Sequence, residues 1–469
     1  MSLTRSYRAA IAPNNWSTFC VCLVESLAVS TGRRQVSPPL PVHQQILSSD
    51  TIRRFDSSDD KGNNPLRMLS LEEAIERSLA ATPKLGGETI SLANAEGRFA
   101  ASDAKAKVSL PAFDNSAMDG YAVRSCDLKS ATADSPVGLM CVGVIPAGTF
   151  PAGSLESETC MKIYTGSPIP DGTDAVIMQE DCRSTPGDGA TILCNERVNP
   201  WENIRLQGED IREGDAVISN GSRITAGTIG LLTASGHDRI EVGRRPRVGL
   251  LATGSELTEP PGCLKPGEIY ESNRAMLASL AARVNAEPTP YPIVPDSLDN
   301  TVAALERAFA ENDVVVTSGG VSVGDHDHVK PAIERLGGSV DFWKIAVKPG
   351  KPFVLGQVGS KPLFGLPGNP VSALVTYLLI VRPALLNMQG AREWRLTKRP
   401  GCLVDELVNR GDRRHFMRVT IDDRGLVLSA GGQRSHMLSS LANANGLVDL
   451  PPKSRWSKGE RVEVIPIDQ

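Results

Sequence analysis

Three stretches in the second half of the chain share one pattern: an apolar run, a glycine-bearing loop and then a helical segment. RVGLLATG (247–254) leads towards SNRAMLASLAARV, which places Leu277, Leu280, Ala281 and Val284 on one helical face. DVVVTSGG (313–320) leads towards VKPAIERLGG, with Pro331 in the first turn and Gly337 at the end. KPLFGLPGNP (361–370) opens VSALVTYLLIV, with Asn369 at the N-cap and Pro370 at the first helical position. Strand–loop–helix units in series predict a parallel sheet with helical crossovers. In such sheets ligands bind beyond the carboxyl ends of the strands, where these loops gather.

With 469 residues the chain is too long for a single core. Ahead of the repeated units, SLEEAIERSLAATP reads as a helix capped by Ser70, with Glu73 closing the cap and Pro83 as a stop. From Val108 to Cys194 short apolar runs alternate with Gly and Pro, as in a small β-rich domain, and 195–243 reads as connecting α/β structure. After Ala391 the runs HFMRVTIDD, GLVLSA, NGLVDLP and RVEVIPI predict a closed or sandwich-like β domain. Residues 1–64 differ from the rest. Up to Ser49 they hold four Arg, eight Ser and one acidic residue, Glu25, which leaves open a transit peptide, a disordered tail or a start placed too far upstream.

The formal charge of −4 and a pI near 6.0 argue against a nucleic-acid binder. No apolar run reads as long enough to cross a bilayer, so no membrane role is expected. The nine cysteines are scattered, with only Cys20 and Cys22 close together. That is neither a zinc pattern nor a disulfide framework, and it points to a reducing, cytoplasmic setting.

Glycine lets backbone N–H groups approach a ligand, and a helix N-terminus adds partial positive charge. The loops ATGSEL, TSGGVSVGDHDH and GLPGNPVS therefore predict an anion pocket that suits phosphate; the plainer reading is tight turns that need Gly for geometry alone. In WKIAVKPGKPFVLG, Lys344, Lys348 and Lys351 crowd a Pro-Gly-Pro turn, where ammonium groups could hold an oxyanion. Asp325-His326-Asp327-His328 follows the second loop. Alternating residues on a turn do not supply a tetrahedral zinc set. A carboxylate at Asp327 beside phosphate fits Mg²⁺ better, with Glu256, Asp296 or Asp119 able to join it.

FDNSAMDGYAVR, TGSPIPDGTDAVIMQE, GEDI, TGSEL, TSGGVSVGD, FWKIAVKPGKPF, LPGNPVSA and SHMLSS occur in that order from about Met68 to the C-terminus. Together they resemble the MoeA/gephyrin E-domain family, the molybdopterin molybdenumtransferases. The resemblance implies a multidomain α/β chain. A discontinuous linker and dimerisation domain would take 65–108 and 196–243, and an inserted β-rich domain 109–195. The parallel-sheet, pterin-binding domain, with helices on both faces, would take 244–392, and a C-terminal β-barrel 393–469. It implies a homodimer that inserts molybdate into adenylated molybdopterin with Mg²⁺ and releases AMP, the substrate supplying the sulfur ligands. It also leaves room for docking of a molybdopterin adenylyltransferase.

Carried over by motif, the catalytic positions are Asp119, Thr165, Asp210, Glu256, Asp296 and Asp327, with Asp296 and Asp327 holding the metal. The ligand-binding positions are Gly319, Gly320, Ser322, Lys344, Lys348, Lys351, Pro367, Pro370, Ser372, Arg413 and Ser435. The chain departs from the family at Ser255, at Leu206-Gln207 and at Arg413-Arg414-His415, where either arginine could be the anion contact. Two other functions share the motifs. A molybdopterin adenylyltransferase would consume ATP, but the additional domains count against it. A gephyrin-like scaffold would not need the retained carboxylates and lysines.

Overall fold

The structure, a computed structural model, describes residues 68–185, 191–321 and 327–468. The extension 1–64, Ser322, Asp325 and His326 lie outside the described residues.

The first helix, Leu71–Ala81, begins where Ser70 accepts a hydrogen bond from the Glu73 backbone N–H at 3.1 Å, as its sequence predicts. It buries Leu71 and Ala74 in the same core as the parallel sheet. The chain then pairs Gly87–Ser91 with Arg239–Gly243 and Ala104–Lys105 with Ala216–Ile218, so distant segments close one small core around Leu92, Ile224, Leu232 and Val242. Between those pairings lies a six-stranded sheet in the order Ala175–Met178, Gly120–Val123, Thr159–Ile163, Val137–Ile145, Thr191–Cys194, Cys182–Ser184. There Cys182 and Cys194 pair across neighbouring strands with their sulfurs 3.8 Å apart, a proximity that scattered sequence positions did not reveal.

The central sheet runs Glu287–Pro290, Arg247–Ala252, Val314–Ser318, Lys361–Leu366, Pro352–Val358, Ser339–Lys344. The first four strands are parallel and Pro352–Val358 runs against both of its neighbours, so the expected parallel sheet is a mixed one with antiparallel pairings at one edge. Alternation along the strands serves both faces. Val248, Val314 and Val316 pack with Leu277, Leu280 and Val375, while Leu251 and Val315 pack with Leu305, Phe309 and Ile333. Helices cover both sides, which is why these strands read as unbroken apolar runs. The helix Leu298–Glu311, capped by Ser297, supplies part of the second face and was not anticipated.

The third helical segment extends past its predicted end. A helical run spans Pro370–Met388, with a π-turn at Tyr377–Val381 ahead of Pro383. Its mean hydropathy of 1.6 and its length are those of a membrane span, contrary to the sequence expectation, but 94% of it is buried inside the protein. It is a core helix. At the end of the chain, Arg414–Ile421 pairs with both Leu426–Ser429 and Gly446–Leu450, and Arg399–Leu403 and Arg461–Pro466 complete a closed five-stranded barrel. A short strand, Val347–Lys348, joins Arg414 and His415 and stitches the lysine turn to the barrel.

Candidate active site

The strands Arg247–Ala252, Val314–Ser318 and Lys361–Leu366 are neighbours, and their three carboxyl-end loops meet in one cavity of 820 Å³. The second loop needs glycine. Gly319 and Gly320 have φ of 88° and 66°, and a Cβ on Gly319 would lie 2.6 Å from the Thr253 carbonyl oxygen. Asn273, at the start of the helix Asn273–Arg283, ties two loops together. Its Nδ2 donates to Ser318 Oγ and to the Gly368 carbonyl, each at 2.7 Å.

Among the described residues, four carboxylates and no lysine or arginine line this cavity: Glu256, Glu271, Asp296 and Asp327. They are not equivalent. Glu271 is buried and committed to Arg274, whose Nε donates to it at 3.0 Å. Asp296 is oriented by the Ser255 backbone N–H, which donates to its Oδ2 at 2.9 Å. That bond comes from the main chain, so it does not depend on the residue at 255 being serine. Asp327 is half-buried, and neither oxygen has a hydrogen-bond partner of good geometry among the described residues. Burial pushes its carboxyl up to about 7, against weaker opposing effects of the Val329 N–H and Lys330.

A second cavity of 630 Å³ shares Pro352, Pro367, Asn369 and His436 with the first. Its charged lining is wholly cationic: Lys348, Lys351, Arg413 and Arg434, joined by Ser372 and Ser435. Of the two candidate arginines, Arg413 lines the cavity and donates to the Val347 carbonyl at 3.0 Å. Arg414 is instead held by Asp449 and Glu72. Beneath the wall, Arg418 is fully buried and donates from Nη2 to the carbonyls of Gly432 at 2.6 Å and Arg434 at 3.1 Å. His415, also buried, is pushed down to about 4 by burial first and by Lys348, Arg418 and Arg413 next, so it adds no charge at neutral pH.

The cleft therefore gathers Glu256, Asp296, Asp327, Gly319, Gly320, Pro367, Pro370, Lys348, Lys351, Ser372, Arg413 and Ser435. Lys344 lines neither cavity. Asp119 and Thr165 form an exposed pair elsewhere, the Thr165 N–H and hydroxyl donating to Asp119 Oδ1 at 2.7 and 2.9 Å. Those bonds hold the Asp119 carboxyl below its usual range. Asp210 stands apart on its own turn, where its N–H donates to the Leu110 carbonyl. Sequence reasoning did not single out Asn273, Arg434, His436 or Arg418. Asn273 opens a predicted helix and was detectable by position, whereas Arg418 sits unmarked inside a barrel strand.

Family models match nearly all of the described chain in series. The MoeA N-terminal region (domain I and II) covers residues 69–236, the probable molybdopterin binding domain 249–387 and the MoeA C-terminal region (domain IV) 403–467. A molybdopterin molybdenumtransferase of Haemophilus influenzae is 36% identical over 408 residues, covering 86% of this chain and 99% of that protein. This chain belongs to the molybdopterin molybdenumtransferase (MoeA) family. It is a transferase. Molybdopterin molybdenumtransferase 2 of Mycobacterium tuberculosis is 39% identical, over 77% of this chain and 90% of its own length. The solved MoeA protein of Pyrococcus horikoshii OT3 superposes with a TM-score of 0.75 at 30% identity, covering 85% of this chain and all of that one. The expected architecture of α/β layers with a terminal β-barrel is thus a MoeA fold.

Proposed function

We propose that this molybdenumtransferase-family enzyme acts in molybdenum cofactor biosynthesis, inserting molybdenum from molybdate into adenylated molybdopterin with release of AMP. The observation that carries the reading is the division of charge in the cleft. Among the described residues, one end is lined by four carboxylates without a lysine or arginine, and the other by four lysines and arginines without a carboxylate. Lys348, Lys351 and Arg413, with the Ser372 and Ser435 hydroxyls, suit a tetrahedral oxyanion such as molybdate. The glycine-opened loops suit close backbone approach of a phosphorylated pterin.

Phosphate beside four carboxylates requires a counter-cation, and the residues present fit Mg²⁺. Among the described residues neither Asp327 oxygen has a hydrogen-bond partner of good geometry, Asp296 is pre-oriented, and no group of three metal-ligating side chains occurs. That is the donor set of an ion held by one or two carboxylates plus substrate oxygens. Bound there, Mg²⁺ would neutralise the phosphoanhydride and ease departure of AMP. Asp296 and Asp327 would hold it, and Glu256 would bound its position. Asp119, Thr165 and Asp210 line neither cavity of their own chain, so in this reading they serve the cleft of a second copy in a homodimer. The setting we propose is cytoplasmic, with an adenylyltransferase docking to hand over substrate.

The test uses purified full-length protein with adenylated molybdopterin and Mg²⁺. AMP release should require molybdate and no ATP should be consumed. ATP turnover in place of AMP release would mark an adenylyltransferase, and binding without turnover would mark a scaffold.

A further inference from the structure

Away from the cleft, a hollow of 390 Å³ opens where the turn at 221–223, the end of the helix Asn273–Arg283 and the connection 391–397 meet. Its lining contains Arg223, Arg283, Arg382, Arg392 and Arg395 against one carboxylate, Glu393. Arg283 is spent on Asp468, to which its Nη1 donates at 2.8 Å. The other four have no ion pair with a carboxylate among the described residues.

Arg382 separates this hollow from an ordinary basic surface. It is 8% exposed, its Nη1 donates to the Trp394 carbonyl at 3.0 Å, and its Nε has no partner among the described residues. Burial, with Arg223 close by, also weakens its hold on its proton. The walls are held by backbone. The Arg392 N–H donates to the Gly221 carbonyl at 2.8 Å, and Asn285 Nδ2 donates to the Gly97 carbonyl at 2.9 Å. Gly221, at φ 78°, permits this approach, since a Cβ there would lie 2.9 Å from the Gly390 carbonyl oxygen. Uncompensated guanidinium groups repel one another, and a buried one without its full set of acceptors is costly. An anion with several acceptor oxygens relieves both penalties, and the planar fork of arginine matches phosphate in two-point contact.

We propose that this hollow is a second anion site, one that binds the phosphate group of a small molecule independently of the charge-divided cleft. The shared chemistry is the phosphate group, carried either by free inorganic phosphate or by a phosphomonoester.

The experiment measures binding of inorganic phosphate and of AMP, in separate arms, to the full chain carrying Lys348→Ala and Lys351→Ala, which remove capture in the cleft. Binding of at least one probe should persist in that background. Adding Arg223→Gln, an exposed change that leaves the core intact, should weaken it about tenfold or more. Arg382→Gln should do the same, with circular dichroism as the check that it folds. Phosphate and AMP binding alike points to the free ion as sufficient, and AMP alone points to a phosphomonoester. Loss of all binding in the lysine double variant, or binding indifferent to Arg223→Gln, overturns the proposal. So does a shift in the monomer–dimer balance of the Arg223→Gln protein without any effect on phosphate, because the hollow would then be covered by another copy.

Discussion

Asp327 keeps its charge at the expense of the fold. Its carboxyl is pushed up to about 7 from an ordinary value of 3.8, so the folded chain holds that proton more tightly than the unfolded chain does. The sign follows by linkage: no penalty exists below about pH 4, it grows as the pH rises towards 7, and it stays constant above. Asp327→Asn, which cannot ionise, should match the wild type near pH 3 and exceed it at pH 8. After discounting for partial solvation, the gain is about 1–2 kcal/mol. Melting curves across that range would show it. Added Mg²⁺ should close the gap at pH 8 by stabilising only the wild type, while Asp327→Asn loses turnover. Arg418 makes the opposite kind of prediction. Arg418→Met strands the carbonyls of Gly432 and Arg434, so it should cost about 2–4 kcal/mol and raise the KM for molybdate more than it lowers kcat. Asp327 was legible in the sequence because it ends a loop that glycines mark. Arg418 was not, because a buried arginine and a surface arginine look alike in a strand until the barrel closes around them.

At the scale of elements, the loops were easier to read than the helix that follows them. Glycine pairs, Asn369 and Pro370 announce strand ends and helix starts directly, and those assignments match the structure. The helix was read only over VSALVTYLLIV, which stops short of Pro383, yet the run continues to Met388. A proline removes one N–H, and the wider turn at Tyr377–Val381 absorbs the mismatch without ending the run. The antiparallel edge was illegible for a different reason: a continuous apolar run marks Pro352–Val358 as a strand but not which way its neighbour runs. The strength of the glycine signal can be measured. Gly319→Ala would place a Cβ 2.6 Å from the Thr253 carbonyl oxygen at φ 88°. It should destabilise the chain by about 1–3 kcal/mol in urea unfolding and blunt substrate binding even at temperatures where the protein stays folded.

For the whole molecule, the motifs fall into two groups that one chain does not bring together. Asp119 and Thr165 hydrogen-bond to each other at the exposed end of the six-stranded sheet, whereas Asp296 and Asp327 line the cleft. Sequence alone assigned both groups to one site, because a motif records a residue's part in the chemistry and not the copy of the chain that supplies it. If homodimerisation unites them, Asp119→Asn and Asp327→Asn should each be inactive alone. Mixed dimers formed by co-refolding should then recover about a quarter to a half of the wild-type rate, since one intact cleft per mixed dimer remains. Recovery no greater than the sum of the separate variants would place both groups in the same subunit's cleft.

The strand Val347–Lys348 is sewn to Arg414 and His415, so the positive end of the cleft is assembled from two modules far apart in the chain. A fragment cut before Arg399 would retain Lys348 and Lys351 but surrender Arg413 and Arg434, along with the seam that steadies the lysine turn. Such a truncated protein would keep all four carboxylates and lose two of the four cations, so the barrel is half of a clasp.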